Sequence, residues 1–448
     1  MSDTLDLDSP RLTVKKPATR EDAQGQWTDA ERTERAMRAF VKDYGATASL
    51  YLESCIHCGM CADACHFFVT TEDPKYTPIW KVEPFKKAYK REYGPFAWFY
   101  RALNLKAKVD ADELMRWQEL MYDSCTLCGR CSLICPMGID IAGLVGLARH
   151  GMAKAGLVPH ELAAAMERGA AEGSPYGATV EVFRERLQAI QLNGRDVIPL
   201  DRERADVLAT VTAVDVIKYP ETIAAMARVL NHLGVNWTFS SLGYEATNVG
   251  VVAGDMEWQR AAMAKIVRAA RQVGAKTVLL PECGHAYGAL RWQADELFGE
   301  ALPFEVKHIA EFLGEQARAG RLKLRPMGTA VTFHDPCQVV RRGGVKDEPR
   351  EVIRALGAQL VEMQPNTDTQ WCCGGGGGVI ANHRADKLRL RVYQIKMNQF
   401  DKTGVDTPVT TCSNCRQTFD DGQAHYRYDK TVRSLVELVA DHLDGDAR

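Results

Sequence analysis

Thirteen of the fourteen cysteines in this 448-residue chain fall into three dense groups, and the spacing inside each group restricts what can form around it. Two runs, CIHCGMCADAC (Cys55, Cys58, Cys61, Cys65) and CTLCGRCSLICP (Cys125, Cys128, Cys131, Cys135), each read C-x2-C-x2-C-x3-C. Thiolates at this spacing wrap three corners of an iron–sulfur cubane while the fourth ligand comes from the other run. On that logic Cys55, Cys58, Cys61 and Cys135 hold one cluster, and Cys125, Cys128, Cys131 and Cys65 hold the other. The third group is Cys337, the adjacent pair Cys372 and Cys373, then Cys412 and Cys415, or C-x34-CC-x38-C-x2-C. It offers five thiols where a cubane needs four.

Other chemistries of cysteine fit less economically. Tetrahedral zinc takes four ligands in two pairs, whereas the double run supplies eight. A disulfide framework belongs to small secreted chains. For the vicinal pair a strained disulfide, and for Cys412 and Cys415 half a zinc site or a redox pair, remain the alternatives. Pro136 follows the last cysteine of the second run as the ferredoxin-type pattern expects, but His66 holds that place in the first. His57 and His66 read as neighbours of a cluster or surface residues, not ligands. Composition bounds the rest: 46% hydrophobic and 25% charged residues with a net charge of −2 describe a globular chain without an electrostatic pull toward nucleic acid. The apolar stretch IAGLVGLARHGMAKAGLV is interrupted by Arg149, His150 and Lys154, so any membrane link is expected through a partner. The acidic start MSDTLDLDSP lacks a secretory pattern, and the expected location is cytoplasmic, peripheral at the inner face of the cell membrane.

Along the chain, residues 1–49 read as a polar arm over 1–26 and then a helix, with Thr28 and Glu31 forming a capping box ahead of a stretch reaching Tyr44. Residues 50–173 carry both cysteine runs, with a helix near DADELMRWQELMYDS and Ala-rich helix up to Gly173. Residues 174–200 have weak periodicity and read as a connector. Residues 201–325 and 326–448 form a diverged tandem repeat in which amphipathic helices precede short β-rich runs. Matching Gly234 to Gly357 gives an offset of 357 − 234 = 123, and matching Cys283 to Cys415 gives 415 − 283 = 132. In both halves the notable residues follow a strand, which is where ligands sit in an α/β sheet. Two α/β lobes facing across a cleft are expected.

The third cysteine group resembles the CCG domain. A dicluster ferredoxin followed by two CCG-like units looks like the D-type catalytic subunit of heterodisulfide reductases. ECGHAYGALRW and WCCGGGGGVIANH further resemble the K subunit of the membrane-bound Dsr complex and the F subunit of the Hmc complex. The resemblance implies a mixed α+β and α/β fold, a helical dicluster domain followed by two α/β CCG-type lobes. It implies two 4Fe-4S cubanes and one special 4Fe-4S cluster, non-cubane in the best-understood members of the family, on Cys337, Cys372, Cys373, Cys412 and Cys415, at which a disulfide is cleaved or formed. The first unit has Ala246 and Thr247 near the expected pair and Leu280 opposite Cys412, leaving only Cys283. One catalytic cluster is therefore expected, not two.

Cleaving a disulfide takes two electrons and up to two protons, while cubanes pass electrons singly, so the terminal site must hold a half-reduced state. The run from Gly374 through Gly375 and Gly376 to Gly378 would let backbone N–H groups approach the cluster. His285, His334 and His383 each lie near a site element and could deliver protons, with His285 favoured because it sits two residues beyond Cys283. Asp335 would cap a helix or orient His334. Cys283 is expected to face the cluster and join the sulfur chemistry, the alternative being a buried thiol. The stretch Pro95, Phe96, Trp98, Phe99 and Tyr100 would be a docking patch or core. The expected function is an iron–sulfur disulfide oxidoreductase, the catalytic subunit of a membrane-associated complex. Its expected partners are a membrane cytochrome b or quinone-linked subunit, and a small sulfur-carrier protein or thiol/disulfide substrate. The alternative is an electron-transfer subunit of a flavoprotein dehydrogenase for a hydroxy acid or glycerol phosphate; the chain itself carries no dinucleotide fingerprint.

Overall fold

The computed structural model describes residues 27–92, 94, 96–103, 109–194 and 197–445. The arm read over residues 1–26, and Pro95 of the aromatic stretch, lie outside these. The capping box forms as the sequence dictates: the Thr28 hydroxyl accepts the Glu31 N–H at 3.3 Å, and the Glu31 carboxylate accepts the Thr28 N–H at 2.6 Å. The helix it opens, Asp29–Ser54, runs past Tyr44 to the first cysteine run, since no residue before Cys55 leaves helical geometry. It packs along helix Ile141–Lys154, whose Ile141, Leu144, Val145, Ala148 and Met152 recur at helical spacing and are buried. The helix expected near DADELMRWQELMYDS is present as Ala111–Gln118, with Asp110 capping the Glu113 N–H at 2.7 Å, and it widens into a π turn through Asp123. His160–Glu172 ends at Gly173, whose φ of 90° only glycine adopts cheaply.

The two cysteine runs fold alike. The residue before the second cysteine is left-handed in both, His57 at φ 54° and Leu127 at φ 56°. Gly59 and Gly129 then open the short helices Met60–Asp63 and Arg130–Ile134, which pack against each other. Residues 174–200, read as a weakly periodic connector, contain a helix, Val180–Asn193, capped by Thr179. Only Phe183 and Leu187 of that helix are fully buried, which is why its periodicity is faint.

Two four-stranded parallel sheets follow. β1 (Val207–Ala209), β2 (Trp237–Thr238), β3 (Thr277–Leu280) and β4 (Glu305–His308) lie in the order β2-β1-β3-β4. β5 (Ala330–His334), β6 (Gln359–Leu360), β7 (Pro408–Thr410) and β8 (Arg433–Ser434) lie in the order β6-β5-β7-β8. The orders are the same, and the strand starts are offset by 330 − 207 = 123 for the first pair and 408 − 277 = 131 for the third. The chain is thus a helical dicluster region followed by duplicated α/β units. Leu208, Leu279, Phe333 and Val409 belong to one continuous core spanning both sheets, so the units are packed together and not strung on a linker. No helix among the described residues is long and apolar enough to cross a membrane.

Candidate functional site

Cys65 of the first run lines one cavity together with Cys125, Cys128 and Cys131 of the second, the crossed grouping that the spacing implies. Burial and the charges of those neighbours push the Cys131 thiol well above its ordinary value, so four thiols converge with little solvent. Lys81, buried at 1% exposure, places its ammonium 3.9 Å from the Cys65 sulfur. Cys55, Cys58 and Cys61 interact with one another nearer the surface, where Cys58 is exposed.

The five cysteines of the third group are all buried. Cys337 follows β5, Cys412 and Cys415 follow β7, and Cys372 and Cys373 come from the loop ahead of helix Asp386–Thr403. Cys337 and Cys372 approach to 4.0 Å, and Cys372 lies within 4.8 Å of both Cys128 and His66. The second cysteine run therefore abuts the five-thiol site directly. Backbone N–H groups point at these sulfurs: Gly374 donates to Cys372 at 3.4 Å, and Gly375 donates to Cys373. The Cys415 thiol, then the Cys415, Gly284 and Asn414 N–H groups, hold Cys412 below its ordinary value. All fourteen thiols are unpaired. Buried all-sulfur donor sets with N–H groups aimed at them match the chemistry of iron–sulfur clusters.

The glycine run is a packed joint. A side chain on Gly377 would meet the Thr126 backbone at 2.6 Å, and φ there is +61°. Arg149, fully buried, gives Cys125 and Gly377 carbonyls hydrogen bonds of 2.7 Å each, with further bonds to Met121 and Val252. One guanidinium thus joins a cysteine run, the glycine run and the first lobe. The sequence shows it only as a charge interrupting an apolar helix. Lys396, buried beside Gln370 and Gln399, and Lys81 are likewise buried cations that spacing alone does not reveal.

A cleft of 670 Å³ opens where the lobes meet, lined among others by Glu282, Cys283, His285, Gly376, Asn248 and Cys412. Cys283 caps helix Gly284–Gly288 at φ −139°, ψ 104°, and Cys412 caps helix Ser413–Tyr426 at φ −153°, ψ 108°. Cys283 is therefore the counterpart of Cys412, not of Cys415, with an offset of 412 − 283 = 129; the loop after β3 is one residue longer than that after β7, which the sequence match could not register. The two loops bind each other, Ser413 N–H donating to the Glu282 carbonyl at 2.8 Å and Gly284 N–H to the Cys412 sulfur. Asn248 reaches the Cys283 sulfur at 3.3 Å. Burial first, and Cys412 second, push the Cys283 thiol up to about 12, so unaided it is protonated at neutral pH.

The histidines divide. His285 lines the cleft with Nε2 buried and unpartnered; burial, then Arg149 and Arg342, lower it to about 4, so it is a neutral imidazole. His334 does not line the cleft. It sits behind the thiols at the end of β5, edge-on to Phe419, with a ring nitrogen within 4.8 Å of Cys373 and Cys415. His383 is exposed on the cleft rim, 3.5 Å from Asp386. Asp335 is gripped at both oxygens by Arg350, at 2.8 and 3.0 Å, and accepts at 2.8 Å the Thr367 N–H that opens the short 3-10 helix Thr367–Thr369; its charge reaches His334 without a hydrogen bond between them. His66 is buried against Cys128, and His57 meets the Lys86 ammonium at 3.0 Å. Phe96, Trp98 and Phe99 are exposed.

Fold and sulfur sites together define an iron–sulfur protein, and comparison with known proteins specifies the kind. Residues 51–139 match the 4Fe-4S dicluster domain and residues 331–420 the cysteine-rich CCG domain. The chain is 28% identical to the D subunit of dihydromethanophenazine:CoB–CoM heterodisulfide reductase from Methanosarcina mazei, over 90% of this chain and 96% of that one. It is 26% identical to Hdr-like menaquinol oxidoreductase iron-sulfur subunit 2 of Archaeoglobus fulgidus, over 88% and 80%. It is also 28% identical to EtfAB:quinone oxidoreductase of Syntrophomonas wolfei, over 85% of this chain and 56% of that one. The chain thus carries a 4Fe-4S dicluster domain and a CCG domain and is similar to heterodisulfide reductase D subunits and Hdr-like iron–sulfur subunits; it is an electron-transferring iron–sulfur oxidoreductase component that holds several 4Fe-4S clusters.

Proposed function

We propose that the protein exchanges electrons with a membrane cytochrome b or quinone-linked subunit and makes or breaks a sulfur–sulfur bond of a carrier or small thiol in the 670 Å³ cleft. In this reading residues 50–173 hold two cubanes, on Cys55, Cys58, Cys61 and Cys135 and on Cys125, Cys128, Cys131 and Cys65. Residues 326–448 hold the third cluster on Cys337, Cys372, Cys373, Cys412 and Cys415, opposite the single-cysteine lobe at 201–325. When bound, that third cluster would accept single electrons and take a substrate sulfur as thiolate. The observation that carries the reading is the continuity from Cys128, through Cys372, to the cleft wall at Cys412. Gly374 and Gly375 N–H groups stabilise sulfur charge, Cys283 faces the substrate sulfurs, and Asn248 orients its thiol.

The test is anaerobic turnover of an alkyl disulfide with reduced viologen by protein reconstituted with iron and sulfide. Turnover in the natural protein, cut tenfold or more in Cys283→Ala at unchanged iron content, is expected. Turnover by Cys283→Ala at the natural rate would remove Cys283 from the chemistry, and no turnover by the natural protein would reject the disulfide reading. Similarity to EtfAB:quinone oxidoreductase supports the second reading, an electron-transfer subunit feeding quinone from a flavoprotein dehydrogenase. That reading predicts reduction of the clusters by a flavoprotein and no spectral response to disulfides.

A further inference from the structure

Disulfide cleavage near pH 7 needs a proton delivered to the released sulfur, and the buried groups of the Cys283 loop are poorly matched to that task. His285 is lowered to about 4, Cys283 is raised to about 12, and Glu282 is raised well above the carboxylate range by burial and by Glu437 and Asp215. Each of these either lacks a proton or holds it too tightly.

Glu245 stands where two cavities meet. It lines the cleft that holds Cys283, and it also lines a second cavity of 230 Å³ that reaches the surface at exposed Glu172 and Gly173. A water needs only about 15 Å³ of such space, so the second cavity admits a file of waters to the Glu245 carboxylate. Its Oε2 is buried with no hydrogen-bond partner. The groups facing it come from two segments: the loop that follows Gly173, with the Ser174 hydroxyl, which hydrogen-bonds to it, and Tyr176, whose phenol interacts with both Glu245 and Cys283; and helix Met256–Val273, with the Lys265 ammonium. Tyr244 lies beside it along the chain and feels its charge. Burial pushes the Glu245 carboxyl up to about 7, with Ser174 and Lys265 opposing the rise.

We propose that Glu245 relays protons from the second cavity into the cleft, to the sulfur released when a sulfur–sulfur bond is cleaved there. The relay rests on the reading given under Proposed function. Cleavage of R–S–S–R′ consumes two electrons, delivered singly by the iron–sulfur clusters, and two protons: the S–S bond breaks and each sulfur leaves as a thiolate that takes up a proton. The Glu245 carboxylic acid gives its proton through Tyr176 or an intervening water, becomes carboxylate, and is reprotonated from water in the second cavity before the second transfer. Lys265 stabilises the carboxylate in the interval. In the oxidative direction the same path runs backwards.

The experiment uses full-length, reconstituted protein with reduced methyl viologen and two disulfide probes. Hydroxyethyl disulfide releases an alkyl thiolate that must be protonated; 5,5′-dithiobis(2-nitrobenzoate) releases an aryl thiolate that leaves unprotonated. For Glu245→Gln at natural iron content, the ratio of alkyl to aryl turnover falls at least tenfold with unchanged KM, and Glu245→Asp recovers part of it. A ratio equal to that of the natural protein in both variants overturns the relay. If the natural protein reduces neither probe, it is the disulfide reading that has failed, and infrared difference spectra between oxidised and reduced clusters then decide the relay alone. A protonated-carboxyl band that shifts on reduction and is missing in Glu245→Gln supports it; identical spectra from the two proteins overturn it.

Discussion

At the scale of single residues, the buried cations and uncharged histidines explain how so much sulfur chemistry can be enclosed. Arg149 has no carboxylate among its hydrogen-bond partners and spends its donors on the carbonyls of Met121, Cys125, Val252 and Gly377. Arg149→Met would leave those acceptors unpaired at about 1–3 kcal/mol each. The expected outcome is a fall in melting temperature and loss of iron from the cavity of Cys125, read by denaturation and iron analysis; unchanged values would deny it this role. His308 shows the complementary case. It is fully buried, its Nδ1 accepts the Ala310 N–H at 3.2 Å, and burial alone lowers it to about 3. Because the folded value lies below the unfolded one near 6.5, stability is intact above about pH 6.5 and is lost as pH falls toward 3, by about 1.4 kcal/mol per unit. His308→Asn, which keeps a capping side chain, should flatten that part of the pH–stability curve in chemical denaturation. Cysteine spacing announced the thiols because cluster ligands must recur at fixed intervals. The burial of Arg149 and the turn of His334 away from the cleft depend on packing between distant segments, and no local pattern encodes them.

At the scale of elements, the two cysteine runs and the two strand-ending loops are each paired copies. The runs share left-handed residues at His57 and Leu127, their short helices pack together, and Cys65 shares a cavity with Cys125, Cys128 and Cys131; the proposed ligation gives Cys135 to the other cluster by the same exchange. Cys135→Ser should therefore damage the cluster on Cys55, Cys58 and Cys61 and spare that on Cys125, Cys128 and Cys131, as read by the paramagnetic signals of the reduced protein. Loss of the second with survival of the first would show self-contained runs. The repeat was legible in the sequence because Gly234 and Gly357 end equivalent helices before equivalent strands. Its register at Cys283 was not, because one extra residue after β3 moves the helix cap, and cap geometry appears only in backbone angles. Helix Val180–Asn193 is faint in the sequence for a related reason: with two fully buried side chains it leaves little hydrophobic period to detect.

At the scale of the whole molecule, the dicluster region is built into the α/β units. The glycine run, pinned by Thr126 and by Arg149, holds Cys372 against Cys128 on one side while Gly376 to Gly378 line the cleft on the other. In the proposed reading electron path and substrate space meet at one wall, and the claim that sulfur–sulfur chemistry occurs there is the centre of the account. Its most direct test is the paramagnetic spectrum of the oxidised, anaerobic protein before and after addition of an alkyl thiol, in the natural chain and in Cys412→Ser. The account predicts a new signal in the natural protein alone, while both proteins keep the cubane signals that appear on reduction. Spectra of the natural protein that are the same with and without thiol would contradict it.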